Sequence, residues 1–113
     1  MSEQNPSVTI YQQFRGLIVS GQLGSGERLP TVRQVAQDLG VAPGTAAKAF
    51  KQLESDGLVV SRTGAGTRVT ENAALLPGSV VAQIRQLVAA SKRADAREDD
   101  VIAALRTAWN TAL

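Results

Sequence analysis

Ile10, Phe14, Leu17 and Ile18 recur at helical spacing, which predicts an amphipathic helix over residues 8–20. Gly21, Gly24 and Gly26 interrupt it. A second stripe, Val32, Val35, Ala36 and Leu39, predicts a short helix that opens at Thr31. Thr31 and Gln34 have the spacing of a capping box, in which each side chain satisfies the other residue's free backbone donor. Gly40 suits the left-handed residue that closes a helix. Pro43 fits the first turn of a third helix, where a missing N–H costs nothing. Ala46, Ala49, Phe50 and Leu53 mark the buried side of that helix. At about 100° per residue, Gly44, Thr45, Lys48, Lys51, Gln52 and Ser55 fall on the other side. Asp56-Gly57 ends it.

The period then changes. Residues 58–61 and 67–70 are short and rich in β-branched side chains, and residues 62–66 between them hold Gly64 and Gly66. This predicts a β-hairpin with a glycine-rich tip. Residues 71–79 read as a linker. Two more apolar stripes follow, Val80, Val81, Ile84, Leu87 and Val88, then Val101, Ile102, Leu105 and Trp109. Asp95 and Glu98 suggest a capping box between these two helices.

The fold class expected is mainly α with a small β-hairpin. Two helices joined by a tight glycine turn and followed by a hairpin are the plan of a winged helix-turn-helix, here followed by two C-terminal helices. The expected organisation is an N-terminal arm (1–8), a winged helix-turn-helix DNA-binding domain (9–70), a linker (71–79) and a two-helix dimerisation segment (80–113). In such a unit the second helix of the pair enters the DNA major groove, and the hairpin reaches the backbone or the minor groove.

Composition narrows the chemistry. A chain of 113 residues has room for one compact domain with a short appendage. It has no cysteine and no histidine, which removes disulfides, thiolate metal sites and the commonest general base. Tyr11, Phe14, Phe50 and Trp109 are too few for a stacking platform on single-stranded nucleic acid. No catalytic residues, metal site or cofactor are expected. No apolar run approaches the roughly 18 residues of a spanning helix, so no membrane association and a cytoplasmic location are expected.

The net charge is only +2, but it is unevenly placed. Residues 28–68 carry Arg28, Arg33, Lys48, Lys51, Arg62 and Arg68 against Asp38, Glu54 and Asp56. Residues 71–113 carry equal numbers of each sign. The excess sits in the helix-turn-helix and hairpin, where duplex DNA would lie.

Several pieces in order resemble a known family: Tyr11-Gln12-Gln13, Gly26-Glu27-Arg28-Leu29-Pro30-Thr31-Val32-Arg33, Leu39-Gly40-Val41, Leu53-Glu54-Ser55-Asp56-Gly57-Leu58 and Gly64-Ala65-Gly66-Thr67-Arg68-Val69. Together they resemble the GntR-family DNA-binding domain over residues 9–70. The opening Ile10-Tyr11-Gln12-Gln13, the turn over residues 41–45 and the short two-helix tail resemble its YtrA-type branch. The resemblance implies a homodimeric bacterial transcription regulator, usually a repressor, on a palindromic operator. It assigns DNA contact to Arg33, Thr45, Lys48 and Gly66. Pro43 and Ala47 stand where many members carry arginine, so that base readout is absent here. Ala42 and Gly44 stand where YtrA-type relatives often have asparagine.

The candidate DNA-binding set is therefore Arg28, Thr31, Arg33, Gly44, Thr45, Lys48, Lys51, Gln52, Arg62, Gly64, Gly66 and Arg68. Arg28, Lys51, Arg62 and Arg68 are expected at phosphates. Thr45 and Lys48, with Gln52 deeper, are expected at base edges. Gly64 and Gly66 permit close approach of backbone to DNA. The candidate dimer interface is Val80, Val81, Ile84, Leu87, Val88, Val101, Leu105 and Trp109. A small-molecule effector would have to fit at that interface or between the tail and the DNA-binding domain. Two rival readings stay open. A protein-interaction winged helix would show apolar or acidic residues on the third helix. An enzyme would need a nucleophile–base constellation, and none is visible.

Overall fold

Asn5 starts the first helix two residues earlier than the apolar spacing predicts. Its side chain accepts from the Ser7 N–H at 2.9 Å, and Pro6 occupies the first helical position. This helix is α1 (Pro6–Val19), followed by α2 (Val32–Leu39) and α3 (Pro43–Ser55). The hairpin is β1 (Val59–Arg62) and β2 (Gly66–Val69), and the tail is α4 (Gly78–Arg93) and α5 (Glu98–Asn110). The structure is a computed structural model that describes residues 5–71, 73 and 75–111. Residues 1–4 of the expected arm, 72 and 74 of the expected linker and 112–113 of the expected dimerisation segment lie outside the described residues.

Local chemistry explains most boundaries. Thr31 Oγ1 accepts from the Gln34 N–H at 3.0 Å, which is one half of the expected capping box. After α2, Gly40 adopts φ 66°, and the Val41 N–H reaches back to the Ala36 carbonyl at 3.0 Å. After α3, Gly57 adopts φ 78°, and the Leu58 N–H reaches the Leu53 carbonyl at 3.0 Å. Both are left-handed closures that satisfy carbonyls the helix leaves free.

The chain forms two compact units, Met1–Leu76 and Pro77–Leu113. The first has one core. Ile10 and Ile18 of α1, Val35 and Ala36 of α2, and Ala46, Ala49, Phe50 and Leu53 of α3 meet Leu29, Leu58, Val59 and Val69. Phe14 and Phe50 pack edge to face with ring centroids 5.3 Å apart, fixing α1 on α3. Leu53 is fully buried at this junction. Truncating such a residue to alanine costs about 2–5 kcal/mol.

Leu39 departs from expectation. Helical phase groups it with Val35 and Ala36, yet it is 49% exposed. It is the last residue of α2, where Gly40 turns the chain away, and phase alone does not supply a neighbour to cover it. Leu17 is likewise exposed at the end of α1.

β1 and β2 pair antiparallel, Val59 with Val69, Val60 with Arg68, Ser61 with Thr67 and Arg62 with Gly66. The ladder thus runs one residue closer to the tip than expected. Residues 26–29, expected as loop, run beside β2 as a third edge. The Leu29 N–H donates to Thr67 O at 2.8 Å, and the Val69 N–H to Glu27 O at 2.9 Å.

In the second unit the expected Asp95–Glu98 box does not form. Arg97 is the N-cap of α5 and makes no side-chain cap bond. Asp95 instead takes the left-handed position after α4 with φ 57°, and the Ala96 N–H bonds the Ser91 carbonyl at 2.9 Å. Closing α4 this way removes Asp95 from the next helix start. Glu98, Asp99 and Asp100 fill the first turn of α5, where they complement the helix dipole. Neither α4 nor α5 contains a buried residue. No described helix is long and apolar enough to cross a membrane.

Candidate nucleic-acid interface

α3 begins without a side-chain cap, since Ala42 has no acceptor to offer. The Thr45 N–H bonds back to Ala42 O at 3.0 Å, while the Gly44 N–H has no partner among the described residues. The start of α3 therefore presents a free donor and the positive end of the helix dipole to solvent. Gly44, Lys48 and Lys51 are exposed on the face away from the core. Thr45 is half-buried at the edge of that face. Pro43 and Ala47 are exposed beside them and offer no charge.

Lys48 and Gln52 border a groove of about 290 Å³ with Val8, Tyr11 and Gln12 of α1. The Gln52 amide is engaged. Its Nε2 donates to Asp56 Oδ1 at 3.1 Å, and the Tyr11 hydroxyl donates to Asp56 Oδ2. Gln52 keeps its carbonyl oxygen and one N–H for another partner. Glu54 turns toward the hairpin and accepts from the Ser61 N–H at 3.4 Å.

Arg33, in the first turn of α2, is exposed. Thr31 beside it is held by its capping bond. Among the described residues the one ion pair is Arg97–Asp99 at 3.6 Å, on the tail. Arg33 therefore pairs with neither Asp38 nor Glu54, and among the described residues no cation of α2, α3 or the hairpin forms an ion pair with a carboxylate.

The hairpin tip is a turn in which the Ala65 N–H donates to Arg62 O at 3.0 Å. Gly64 occupies its third position at φ 80°, a conformation that favours glycine. Gly66 has φ 73°. Arg28 bridges to Arg68 across the third edge. Arg68 Nη1 donates to Gly26 O at 3.0 Å, so part of its guanidinium is committed to the fold. Arg28 and Arg62 are exposed.

The structure thus brings Arg28, Arg62, Gly66 and Arg68 together on the hairpin. It gathers Gly44, Lys48 and Lys51 on α3. Two features escaped the sequence reading. The third edge that carries Arg28 to the hairpin has no alternating pattern to announce it. The Tyr11–Asp56–Gln52 link joins residues 45 apart at its longest step, and no local spacing signals it.

In the tail, Val80, Ile84, Leu87, Val88, Ile102, Leu105 and Trp109 are exposed large apolar residues, with Trp109 at 84%. Val81 and Val101 are half-buried. A concavity of about 350 Å³ within this unit is lined by Ile84, Leu87, Val88, Val101, Ile102 and Leu105, among others.

Residues 6–69 match the model of the gntR family of bacterial regulatory proteins. The chain is 36% identical over 84 residues to the HTH-type transcriptional repressor YtrA of Bacillus subtilis, covering 70% of this chain and 65% of that protein. It covers smaller shares of other curated regulators, 14% and 54% of two of them. Among solved structures, the AraR DNA-binding domain in complex with operator ORE1 matches with 28% identity and a TM-score of 0.57, over 60% of this chain and 83% of that one. A transcriptional regulator from Oenococcus oeni shares the fold over 97% of this chain and 95% of its own, with a TM-score of 0.60 and 19% identity.

Proposed function

The chain belongs to the GntR family of bacterial regulatory proteins, and on that premise we propose that it is a sequence-specific DNA-binding transcription regulator. It acts as a repressor, as the relative YtrA does by its name, and binds a palindromic operator as a homodimer in the cytoplasm. The observation that carries this reading is the set of exposed cations on α3 and the hairpin that form no ion pair among the described residues. Unpaired cations on a recognition helix and its wing are the electrostatic footprint of a duplex binder.

In this reading α3 enters the major groove. Gly44, Thr45 and Lys48 face base edges, with Gln52 deeper. Thr31 and Arg33 meet the backbone beside them, Arg28, Lys51, Arg62 and Arg68 hold phosphates, and Gly64 and Gly66 let the wing approach. A phosphate at the start of α3 completes the cap that Ala42 leaves open. The apolar faces of α4 and α5 meet those of a second copy. Residues 9–70 are then the DNA-reading unit and residues 80–113 the dimerisation segment. A twofold pair of winged helices reads half-sites about one helical turn apart. An effector would bind at the apolar surface the two copies form.

Titration against random-sequence duplex, and against duplex the chain itself selects, tests the reading at two salt concentrations. Both affinities should fall steeply with salt, and the selected duplex should bind about a thousandfold tighter. Equal affinity for the two duplexes would sink the specific reading. No binding to either would favour a winged helix that docks on protein.

A further inference from the structure

Gly66 lies under a guanidinium group. A Cβ at this position would fall 2.8 Å from Arg28 Nε, 3.1 Å from Nη2 and 3.2 Å from Cζ. Arg28 reaches this place because residues 26–29 are hydrogen-bonded along β2, with Arg28 bridged to Arg68. On the other side of β2, Arg62 is the residue paired with Gly66, its Cα about 5 Å away. Val60, Arg62, Gly66 and Arg68 line one shallow concavity of about 420 Å³. Residues directly opposite in a ladder share a face, as do residues two apart along a strand. Arg28, Arg62 and Arg68 therefore emerge on the same side of the wing.

Their surroundings differ. Arg68 donates to Gly26 O, and the Glu71 carboxylate, which also borders the concavity, lies against Gly26. The side chains of Arg28 and Arg62 have no hydrogen-bond or ion-pair partner among the described residues. Like charges brought to one glycine repel, and an anion between them reverses the sign of the interaction. A guanidinium fork fits phosphate oxygens.

We propose that Arg28 and Arg62 form a two-arginine clamp across Gly66 that grips a single phosphate of the DNA backbone. The clamp rests on the DNA-binding reading above and adds to it that two residues far apart in sequence act as one unit. Gly66 serves the clamp in two ways: its φ of 73° favours glycine, and a Cβ there would push the Arg28 guanidinium aside. Arg68 adds one side-chain bond, to Gly26 O, to the backbone bonds that keep residues 26–29 against β2.

Methylphosphonate scanning tests this. A duplex selected by the full chain is made with one phosphate at a time replaced by a neutral methylphosphonate. Affinity is measured for the unaltered chain, Arg28→Ala, Arg62→Ala and the double variant, and melting without DNA checks that each is folded. Each single substitution should weaken binding about tenfold, and the double variant little more than either. One methylphosphonate position should weaken the unaltered chain as much and erase the cost of both substitutions. Gly66→Ala should lose at least what Arg28→Ala loses, since the new Cβ displaces the guanidinium and a φ of 73° disfavours alanine. Arg28→Lys leaves β2 unchanged and keeps the charge but not the fork, and it should bind within about threefold of Arg28→Ala. Additive losses traced to two different phosphates would overturn the clamp, as would unchanged affinity in the single variants. If the unaltered chain selects no DNA, the underlying reading falls and the clamp with it.

Discussion

The Tyr11 hydroxyl donates a hydrogen bond to Asp56, the residue that ends α3, and so joins α1 to α3. The bond holds the phenol above its ordinary value of 10.0, with desolvation and the Asp56 charge adding to it, while Arg15 opposes. The folded-state value lies above the unfolded one. The stabilisation is therefore complete below the unfolded value and is lost as pH rises toward the folded one. Tyr11 is the only tyrosine, so phenolate absorbance reports it alone. Alkaline titration should give a midpoint above 10.0 that Asp56→Asn lowers. Tyr11→Phe should cost about 0.5–1 kcal/mol at neutral pH, at the low end because the pair is exposed. The gap between it and the unaltered chain should close at alkaline pH. An ordinary midpoint would show that the bond does not persist in solution.

Ala42→Asn supplies the missing cap of α3. It should raise stability without DNA by about 1 kcal/mol, read as a higher Tm. If a phosphate already completes that helix end in the complex, operator affinity should hardly change. A tenfold or larger gain in affinity would count against a phosphate at this position.

Lys48 and Lys51 differ by one step around the outer face of α3. Lys48→Ala should flatten discrimination among operator variants by about 1 kcal/mol per affected base pair. Lys51→Ala should weaken all duplexes alike and reduce the salt slope by about one unit. Competition binding against single-base operator variants separates the two roles. Unchanged operator preference in Lys48→Ala would remove it from base readout.

Trp109 is the only tryptophan and is 84% exposed in the single chain. If the tail faces of two copies meet, its emission should be blue-shifted at micromolar concentration and move to the red on dilution. Leu105→Glu should give a monomer in sedimentation and lose most of the operator affinity. An emission maximum that ignores concentration, with a monomer in sedimentation, would exclude this interface.

Asp95 holds a left-handed conformation that costs a residue with a side chain. Asp95→Gly should stabilise the turn after α4 by about 0.5–1 kcal/mol. Hydrogen exchange at the Ala96 amide, which bonds the Ser91 carbonyl, should slow. Faster exchange there would show that the aspartate contributes something beyond the turn.

Much of the fold was legible because its signals are local. Thr31 caps α2 from three residues away, Gly40 and Gly57 close helices through bonds that span one turn, and glycines mark the hairpin tip. The apolar stripe of α3 named four buried residues, because the helical period dictates which side chains share a face. Asp95 misled for the same local reason. The spacing to Glu98 permits a capping box, but the closure of α4 claimed the residue first.

The sequence by itself determined where the helices and hairpin lie and which face of α3 carries charge, since both follow from backbone chemistry within a few residues. Only the tertiary structure decided that Leu39 stays exposed, that residues 26–29 join the wing, and that Arg28 covers Gly66. Those outcomes depend on what chain arrives from elsewhere. Residues 26–29 find their ladder partner only in β2, some forty positions later, and most of their hydrogen bonds to it are backbone bonds that no side-chain pattern encodes.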